Sequence, residues 1–333
     1  MLKRLSASLL LAAALIAIPV AAASAAKNPW RQSHPWNICH QGGESEAPGN
    51  TMYAFKRCLK VGGDMLELDI GVTKDNKVVI HHNTTVDSRT SGTGEVNSFT
   101  LAEIQKLDNA YWFSSGIDGV SYNHDKPVGS YKFRGIATGT RTPPKGYKAS
   151  DFRVATLTEL LKAFPKTPIN LEIKGRTTAE NLSEYLDNAR VLANELKNSK
   201  RKDIIVVSFK QEAVDLFHEL APNIVLAPGI GGMVKYLFPP RQPLGEGSVA
   251  MQVPITYPFG NKLLTITSKA QVARAHANGY AWQNWFGDND PDAEVSWNKL
   301  IDYCVDGIMS SYPAALDKTL KKTKSPADCK KRP

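Results

Sequence analysis

The sequence predicts an α/β fold and, within that class, a closed (β/α)8 barrel. Three observations point there. Short β-rich runs alternate with amphipathic segments along most of the chain, a pattern that favours parallel strands joined by crossover helices. About eight such runs can be placed, the number that closes a barrel of this kind. The first 26 of the 333 residues read as a removable leader, and the 307 that remain suit one barrel domain.

The leader has three parts. Lys3 and Arg4 give a positive start, Leu9 to Val20 is an apolar run, and Ala23-Ser24-Ala25 is a small-residue cleavage signal. That order predicts a secretory signal peptide and a secreted or periplasmic chain, with an uncleaved membrane anchor as the competing reading. No later stretch is long and apolar enough to cross a bilayer.

Trp36 to His40 reads as the first strand, and Asn50 to Val61 as a helix capped by Asn50 or Thr51 and stopped by Gly62-Gly63. Met65 to Thr73 is extended, Asp75-Asn76 is a turn, and Lys77 to His81 is the next strand. Thr100 and Glu103 stand at capping-box spacing ahead of a short helix. Ala110 to Phe152 breaks the alternation, being rich in Gly, Ser, Tyr, Asp, Lys and Pro, and reads as an insertion at the catalytic mouth. Further strands are expected at Ile169 to Glu172, Ile204 to Ser208, Ile224 to Leu226, Ala281 to Trp285 and Gly307 to Ser310. Helices fit at Thr156 to Phe164, Ala179 to Asn198, Gln211 to Leu220 and Ser268 to Asn278. The barrel is expected over residues 27–316, followed by a basic tail over 317–333.

The formal net charge is +9, or +7 without Lys3 and Arg4, and much of the excess lies in that tail. A solvated tail accounts for it, although a basic surface also attracts phosphate-bearing ligands and anionic membranes. No nucleic-acid-binding motif and no interleaved basic–aromatic run is present. The four cysteines, Cys39, Cys58, Cys304 and Cys329, permit two disulfides in an exported protein, in one of three connectivities. Cys39 with Cys58 and Cys304 with Cys329 are the local pairings.

Polar residues concentrate at three strand ends. In a strand, residues i and i+2 share a face, so Glu67 and Asp69 point together while Leu66, Leu68 and Ile70 point away. Inward carboxylates repel unless a cation joins them, and an all-oxygen site suits a hard ion such as Mg²⁺ or Ca²⁺. Glu172 and Lys174 repeat the geometry, one as a third oxygen ligand and the other as a point charge for phosphate; an internal salt bridge from Lys174 to Glu67 or Asp69 is compatible with both. His40 and His81 each end an apolar strand run and can serve as acid and base, because imidazole titrates near neutrality. A Zn²⁺ site built from His40, His81 and His82 ranks lower, since alternation sends His81 and His82 to opposite faces.

In this order the motifs resemble those of the glycerophosphodiester phosphodiesterase family, within the phospholipase-C-like TIM barrels. The matching segments are His40-Gln41-Gly42, Pro48-Gly49-Asn50-Thr51, Glu67-Leu68-Asp69, Lys74-Asp75-Asn76, Val79-Ile80-His81-His82, Glu172-Ile173-Lys174, Trp282 and Val305 to Pro313. The resemblance spans nearly the whole mature chain. It implies one divalent ion on Glu67, Asp69 and Glu172, an acid/base pair in His40 and His81, phosphate contacts from Lys174 and from Gln41, and Trp282 lining the alcohol pocket. Gln41 stands where the family has Arg, Gly49 where it has Glu, His82 where it has Asp, and Ser310-Ser311 where it has Thr-Asp. Glu44 or Glu46 is a candidate for the missing carboxylate.

The expected activity is metal-dependent hydrolysis of a small phosphodiester to an alcohol and glycerol phosphate. Two alternatives stand beside it: phospholipase D- or sphingomyelinase D-like action on lysolipids at a membrane surface, with Trp112, Trp282 and Trp285 as candidate contacts, and a non-catalytic barrel that binds phosphorylated ligands.

Overall fold

The chain enters the barrel at β1 (Trp36–Cys39), crosses by α1 (Met52–Lys60) and returns as β2 (Met65–Val72). The computed structural model describes residues 28–115, 121–176 and 182–331; the leader expected over 1–26 lies outside them. Thr51 caps α1 through its hydroxyl, which accepts the Ala54 N–H at 3.1 Å. After β2 come β3 (Val78–Ile80), α2 (Leu101–Ile104), α3 (Leu157–Ala163) and β4 (Ile169–Ile173). Capping boxes at Thr100–Glu103 and Thr156–Glu159 start the two helices. The second half runs α4 (Ser183–Leu196), β5 (Ile204–Val207), α5 (Gln211–Leu220), β6 (Val225–Leu226), α6 (Ile230–Leu237) and β7 (Ala250–Val253). A hairpin of β8 (Thr256–Phe259) and β9 (Lys262–Thr265) precedes α7 (Lys269–Ala277), β10 (Ala281–Asn284), α8 (Glu294–Asp302), β11 (Gly307–Ser310) and α9 (Pro313–Lys322).

Eight of these strands are parallel staves in the order β6-β5-β4-β2-β1-β11-β10-β7. The ring closes where the Leu226 N–H donates to Gly247 O and Leu226 O accepts from Val249 N–H, each at 2.9 Å. The structure corrects one expected stave. β3 pairs antiparallel with β2, Ile70 opposite Ile80, and stands outside the ring. The eighth stave is β7, whose four residues Ala-Met-Gln-Val are too short to show a period.

Alternation along the staves builds three layers inside the barrel. Ile38, Met65, Ile205, Ala250, Ala281 and Met309 pack as one apolar cluster with Trp30. Beside it lies an amide layer in which Gln252 Nε2 donates to Asn170 Oδ1 at 2.9 Å and Gln283 Oε1 at 2.8 Å. Glu67, Asp69 and Glu172 form the acidic layer. The other stave face packs on the helices: Leu66, Leu68 and Ile70 join Leu171, Ile173 and Phe217 in the largest apolar cluster. Burying such side chains stabilises by roughly 1.5–3 kcal/mol each.

The long segment 110–152 packs over α1. Tyr53 stacks on Phe152 at 4.6 Å, and Lys56 pairs with Asp151 at 2.6 Å. Its Trp112 stacks on His124 at 4.0 Å, and its Tyr122 ring lies 4.4 Å from the Arg89 guanidinium at the barrel mouth. Cys39 joins Cys58 and Cys304 joins Cys329, with S–S distances of 2.03 and 2.05 Å. The second bond anchors the C-terminal segment. The boundary expected at 317 falls inside α9, where Leu316 and Thr319 are buried against the barrel.

Candidate active site

The site forms at the C-terminal ends of β1, β2 and β4. Asp69 and Glu172 stand opposite one another in the β2–β4 ladder, and Glu67 lies two residues earlier on the same face of β2. One carboxylate oxygen from each of the three lies within 4.8 Å of the others. Burial, then the charge of Asp69, pushes the Glu67 carboxyl up to about 8. Burial acts the same way on Asp69, but the Lys174 ammonium, His82, His40 and the Asn50 amide together outweigh it and hold that carboxyl below the usual range. Lys174 Nζ lies 3.2 Å from Asp69 Oδ1 and 2.8 Å from Glu172 Oε1. These carboxylates hold its charge against desolvation and raise its pKa.

The turn after β1 fixes the other wall. Gln41, Gly42 and Gly43 all have positive φ, at 51°, 81° and 94°. A side chain on Gly42 would meet Ala54 Cβ at 2.8 Å, so the αL conformation and the close approach both call for glycine. This turn aims the Gln41 N–H at Glu67 Oε2, 2.8 Å away. Asn50, also left-handed at φ 56°, donates its amide to Asp69 Oδ2 at 2.8 Å and accepts the Asp69 N–H.

His40 stands over the acids. Its Nδ1 lies 2.9 Å from Glu44 Oε1, and its Nε2 3.9 Å from Glu67 Oε2. Burial opposes a charged imidazole here, but Glu44 and Glu67 outweigh it and raise His40 to about 10. Glu44 is anchored from behind by Arg89 at 3.2 Å. Against the cost of burial, His40 and Arg89 pull its carboxyl down to about 2. The pair stands beside Gly49: a Cβ there would lie 2.7 Å from Glu44 Cβ and 3.2 Å from Arg89 Nη1. Charge missing from positions 41 and 49 is thus brought to the same corner by residues 44 and 89.

Three expected site residues sit elsewhere. His81 is fully buried and does not line the cavity. Its Nε2 is 3.1 Å from Thr85 O, and burial followed by the Arg89 charge lowers it to about 4. His82 faces the cavity instead, beside Glu172 and Lys174. Strand parity stops being a guide where the chain leaves β3 at Ile80, and the acids are read from β2. Trp282 is fully buried among the residues between barrel and helices, its indole N–H donating to Thr267 Oγ1 at 3.2 Å. Three residues on, beyond the end of β10, Trp285 lines the cavity. The Gln41 side chain is buried, and the contact the residue makes with the acids comes from its backbone N–H. His40, Glu67, Asp69, Glu172 and Lys174 lie together in the structure.

Sequence reading passed over Asn50, Arg89 and Asp292. Asn50 carried a signal in the Pro48-Gly49-Asn50-Thr51 segment. Asp292 follows β10 in an irregular loop and accepts from Ser310 Oγ at 2.8 Å and Ser311 N–H at 2.7 Å, fixing the end of β11. No local pattern marks it, or Arg89. The cavity beside the acids measures about 190 Å³ and is walled by His40, His82, Glu172, Lys174, Phe209 and Trp285 among others.

A family model for the glycerophosphoryl diester phosphodiesterase family matches residues 40–315. The chain belongs to this family. The family's hydrolysis of phosphoric diesters, and its barrel, are therefore this chain's reaction class and fold. A glycerophosphodiester phosphodiesterase of Bacillus subtilis is 26% identical over 288 residues, covering 85% of this chain and 86% of its own length. A lysophospholipase D of Mus musculus is 24% identical over 299 residues, 84% of each chain. A phosphodiesterase from Oleispira antarctica, solved with the product sn-glycerol-3-phosphate, superposes with a TM-score of 0.59 at 19% identity, covering 86% of this chain and 97% of that one.

Proposed function

We propose that this chain hydrolyses glycerophosphodiesters to an alcohol and glycerol phosphate, with His40 and His82 as the acid/base pair and one divalent cation on Glu67, Asp69 and Glu172. The observation that carries the reading is the convergence of three carboxylates, the buried Glu67 and Asp69 and the half-buried Glu172, within 4.8 Å of one another, at the edge of a cavity lined by Glu172, His40, His82 and Lys174. The donor set fits a hard cation: all three ligands are oxygens, Asp69 Oδ1 is fully buried with the Lys174 ammonium at 3.2 Å and no hydrogen bond, and burial with the Asp69 charge pushes Glu67 toward neutrality. A bound Mg²⁺ or Ca²⁺ would supply positive charge against the phosphoryl oxygens.

The chain's own groups divide the remaining work. Lys174 holds a phosphate oxygen as a point charge. The two histidines are pushed in opposite directions, the mark of an acid and a base. Glu44 keeps His40 protonated at neutral pH, and that contact does not involve the carboxylates assigned to the cation. Burial lowers His82, leaving it neutral and able to accept a proton. Water adds to phosphorus as His82 takes its proton, the P–O bond to the alcohol breaks, and His40 protonates the leaving alkoxide. The two disulfides and the N-terminal leader support an exported, oxidised protein, secreted or periplasmic.

The test is hydrolysis of glycerophosphocholine and glycerophosphoethanolamine with Mg²⁺, Ca²⁺ and EDTA. Turnover that ceases on chelation and returns with one of the ions is expected. Unchanged turnover in EDTA sinks the cation assignment. Tight binding of glycerol phosphate with no diester hydrolysis under any condition favours a non-catalytic barrel.

A further inference from the structure

Where segment 110–152 meets the chain around Ser91 and Asp108, a cavity of about 340 Å³ opens. None of its lining residues lines the catalytic cavity. Arg134 is its fixed point. The guanidinium lies 4.0, 4.6 and 3.9 Å from the ring centroids of Tyr111, Trp112 and Tyr131, and its Nε donates to Tyr111 O at 3.0 Å. Three rings and a carbonyl therefore set its geometry before any ligand arrives. Its Nη2 is buried without a hydrogen-bond partner, a state that costs free energy until an acceptor fills it. Arg141 also lines the cavity, with Nη1 donating to Tyr131 O at 3.2 Å and to Lys132 O.

The loop after Arg134 adds donors in surplus. Gly135, at φ 87°, turns the chain, so that its carbonyl accepts the N–H of Thr140 at 2.9 Å and of Arg141 at 3.1 Å. Those two fill the lone pairs of one carbonyl oxygen. The hydroxyls of Thr138 and Thr140 reach the same oxygen at 3.2 and 3.0 Å, and lose little by turning to another acceptor. Asp108 is the carboxylate on the wall, and it is already taken: Oδ1 accepts the Ala110 N–H at 3.0 Å and Oδ2 the Gly135 N–H at 2.6 Å. Two guanidiniums and two hydroxyls stand short of acceptors, against one carboxylate that is satisfied elsewhere. That imbalance describes a place for an oxyanion, which guanidinium groups bind through charge-assisted hydrogen bonds.

We infer that this cavity binds a small oxyanion of the phosphate class on Arg134 and Arg141, apart from the phosphate held on Lys174. Inorganic phosphate and the phosphomonoester end of glycerol phosphate present the same oxygens, and both fit the donors. The inference does not depend on the phosphodiesterase reading, since no lining residue belongs to the proposed catalytic set.

The experiment is calorimetric titration of the full chain in EDTA with inorganic phosphate and with sn-glycerol 3-phosphate. Sodium chloride of matched ionic strength controls for bulk screening. Lys174→Met removes the catalytic phosphate contact, and Arg141→Gln and Thr138→Glu are each built on that background. Arg141 and Thr138 are exposed, so both variants keep the fold, whereas loss of Arg134 would empty the space between three rings. K174M is expected to retain one phosphate site. Adding R141Q should weaken it at least tenfold, the worth of a charge-assisted hydrogen bond. Adding T138E, which sets a carboxylate in the anion's place, should abolish it. Glycerol phosphate binding at least tenfold tighter than phosphate assigns the site to a phosphomonoester, and equal affinity assigns it to the phosphate group alone; either supports the inference. Phosphate binding that disappears in K174M overturns it, because the ion then sits only in the catalytic cavity. Binding in K174M that R141Q and T138E leave unchanged, or heats that chloride reproduces, overturns it as well.

Discussion

His82 and His81 make a matched pair for testing the site, because adjacent residues have opposite surroundings. His82 walls the cavity next to Glu172 and Lys174, whereas His81 is sealed off, one ring nitrogen facing the Thr85 carbonyl and the other without a partner. Loss of a general base costs about 10²–10⁴-fold in rate, or roughly 3–5 kcal/mol of transition-state stabilisation. His82→Ala should therefore lower kcat on glycerophosphocholine by at least 100-fold with little change in thermal midpoint, since it empties a site already open to solvent. His81→Ala should do the reverse. Removing a fully buried ring and leaving the Thr85 carbonyl unpaired should cost about 2–4 kcal/mol. In a chain of this length that corresponds to a fall of about 3–6 °C in Tm, with kcat within about tenfold of wild type below that temperature. Steady-state kinetics at 20–25 °C beside differential scanning calorimetry separates the two effects. If H82A turns over within threefold of wild type, or folded H81A is as inactive as H82A, His82 has been assigned the wrong task.

Other expectations follow from the same geometry. Glu44 lies at about 2 in the folded protein against an ordinary 4.5; its contribution to stability is present above 4.5 and lost as pH falls from there toward 2. The Tm of Glu44→Gln should accordingly lie below that of wild type at pH 6 and converge on it near pH 2–3, and parallel curves would exclude the ion pair. Saturating Ca²⁺ or Mg²⁺ should raise the wild-type Tm, since about 100 Kd of ligand adds roughly 2.7 kcal/mol, whereas Asp69→Asn should show no shift; an equal shift in D69N places the ion elsewhere. Lys174→Met should lower kcat/KM by at least tenfold and Lys174→Arg less, and retention of full activity by K174M would remove Lys174 from phosphate binding. Gly63→Ala should destabilise by more than 1 kcal/mol in urea unfolding, because a Cβ there would meet Cys58 Sγ at 2.3 Å and Cys39 Sγ at 2.5 Å.

What the sequence disclosed, and what it withheld, divides along the range of the forces involved. β2 was legible because one long stave carries its own alternation, Leu66, Leu68 and Ile70 against Glu67 and Asp69. α1 and α2 were legible from caps a few residues long. β7 was not, since four residues cannot display a period and the neighbours that hold it are more than 20 residues away along the chain. The errors at His81 and Trp282 share one cause. Each residue belongs to or adjoins a strand, but the side chain that reaches the cavity comes from just past the strand's end, where parity lapses. The Glu44–Arg89 pair joins residues 45 apart, across a distance at which no local pattern operates.

The contact between the Gln41 amide and Glu67 has a consequence for how this protein can be dissected. Its donor belongs to the main chain, so what position 41 must supply is its left-handed conformation, φ 51°, and not a side-chain group. A scan of side chains across the turn should find intolerance at Gly42 and Gly43, which bring no side chain to the site. In this molecule, part of the proposed site is encoded as a bend in the backbone, and it is lost through residues that cannot follow that bend.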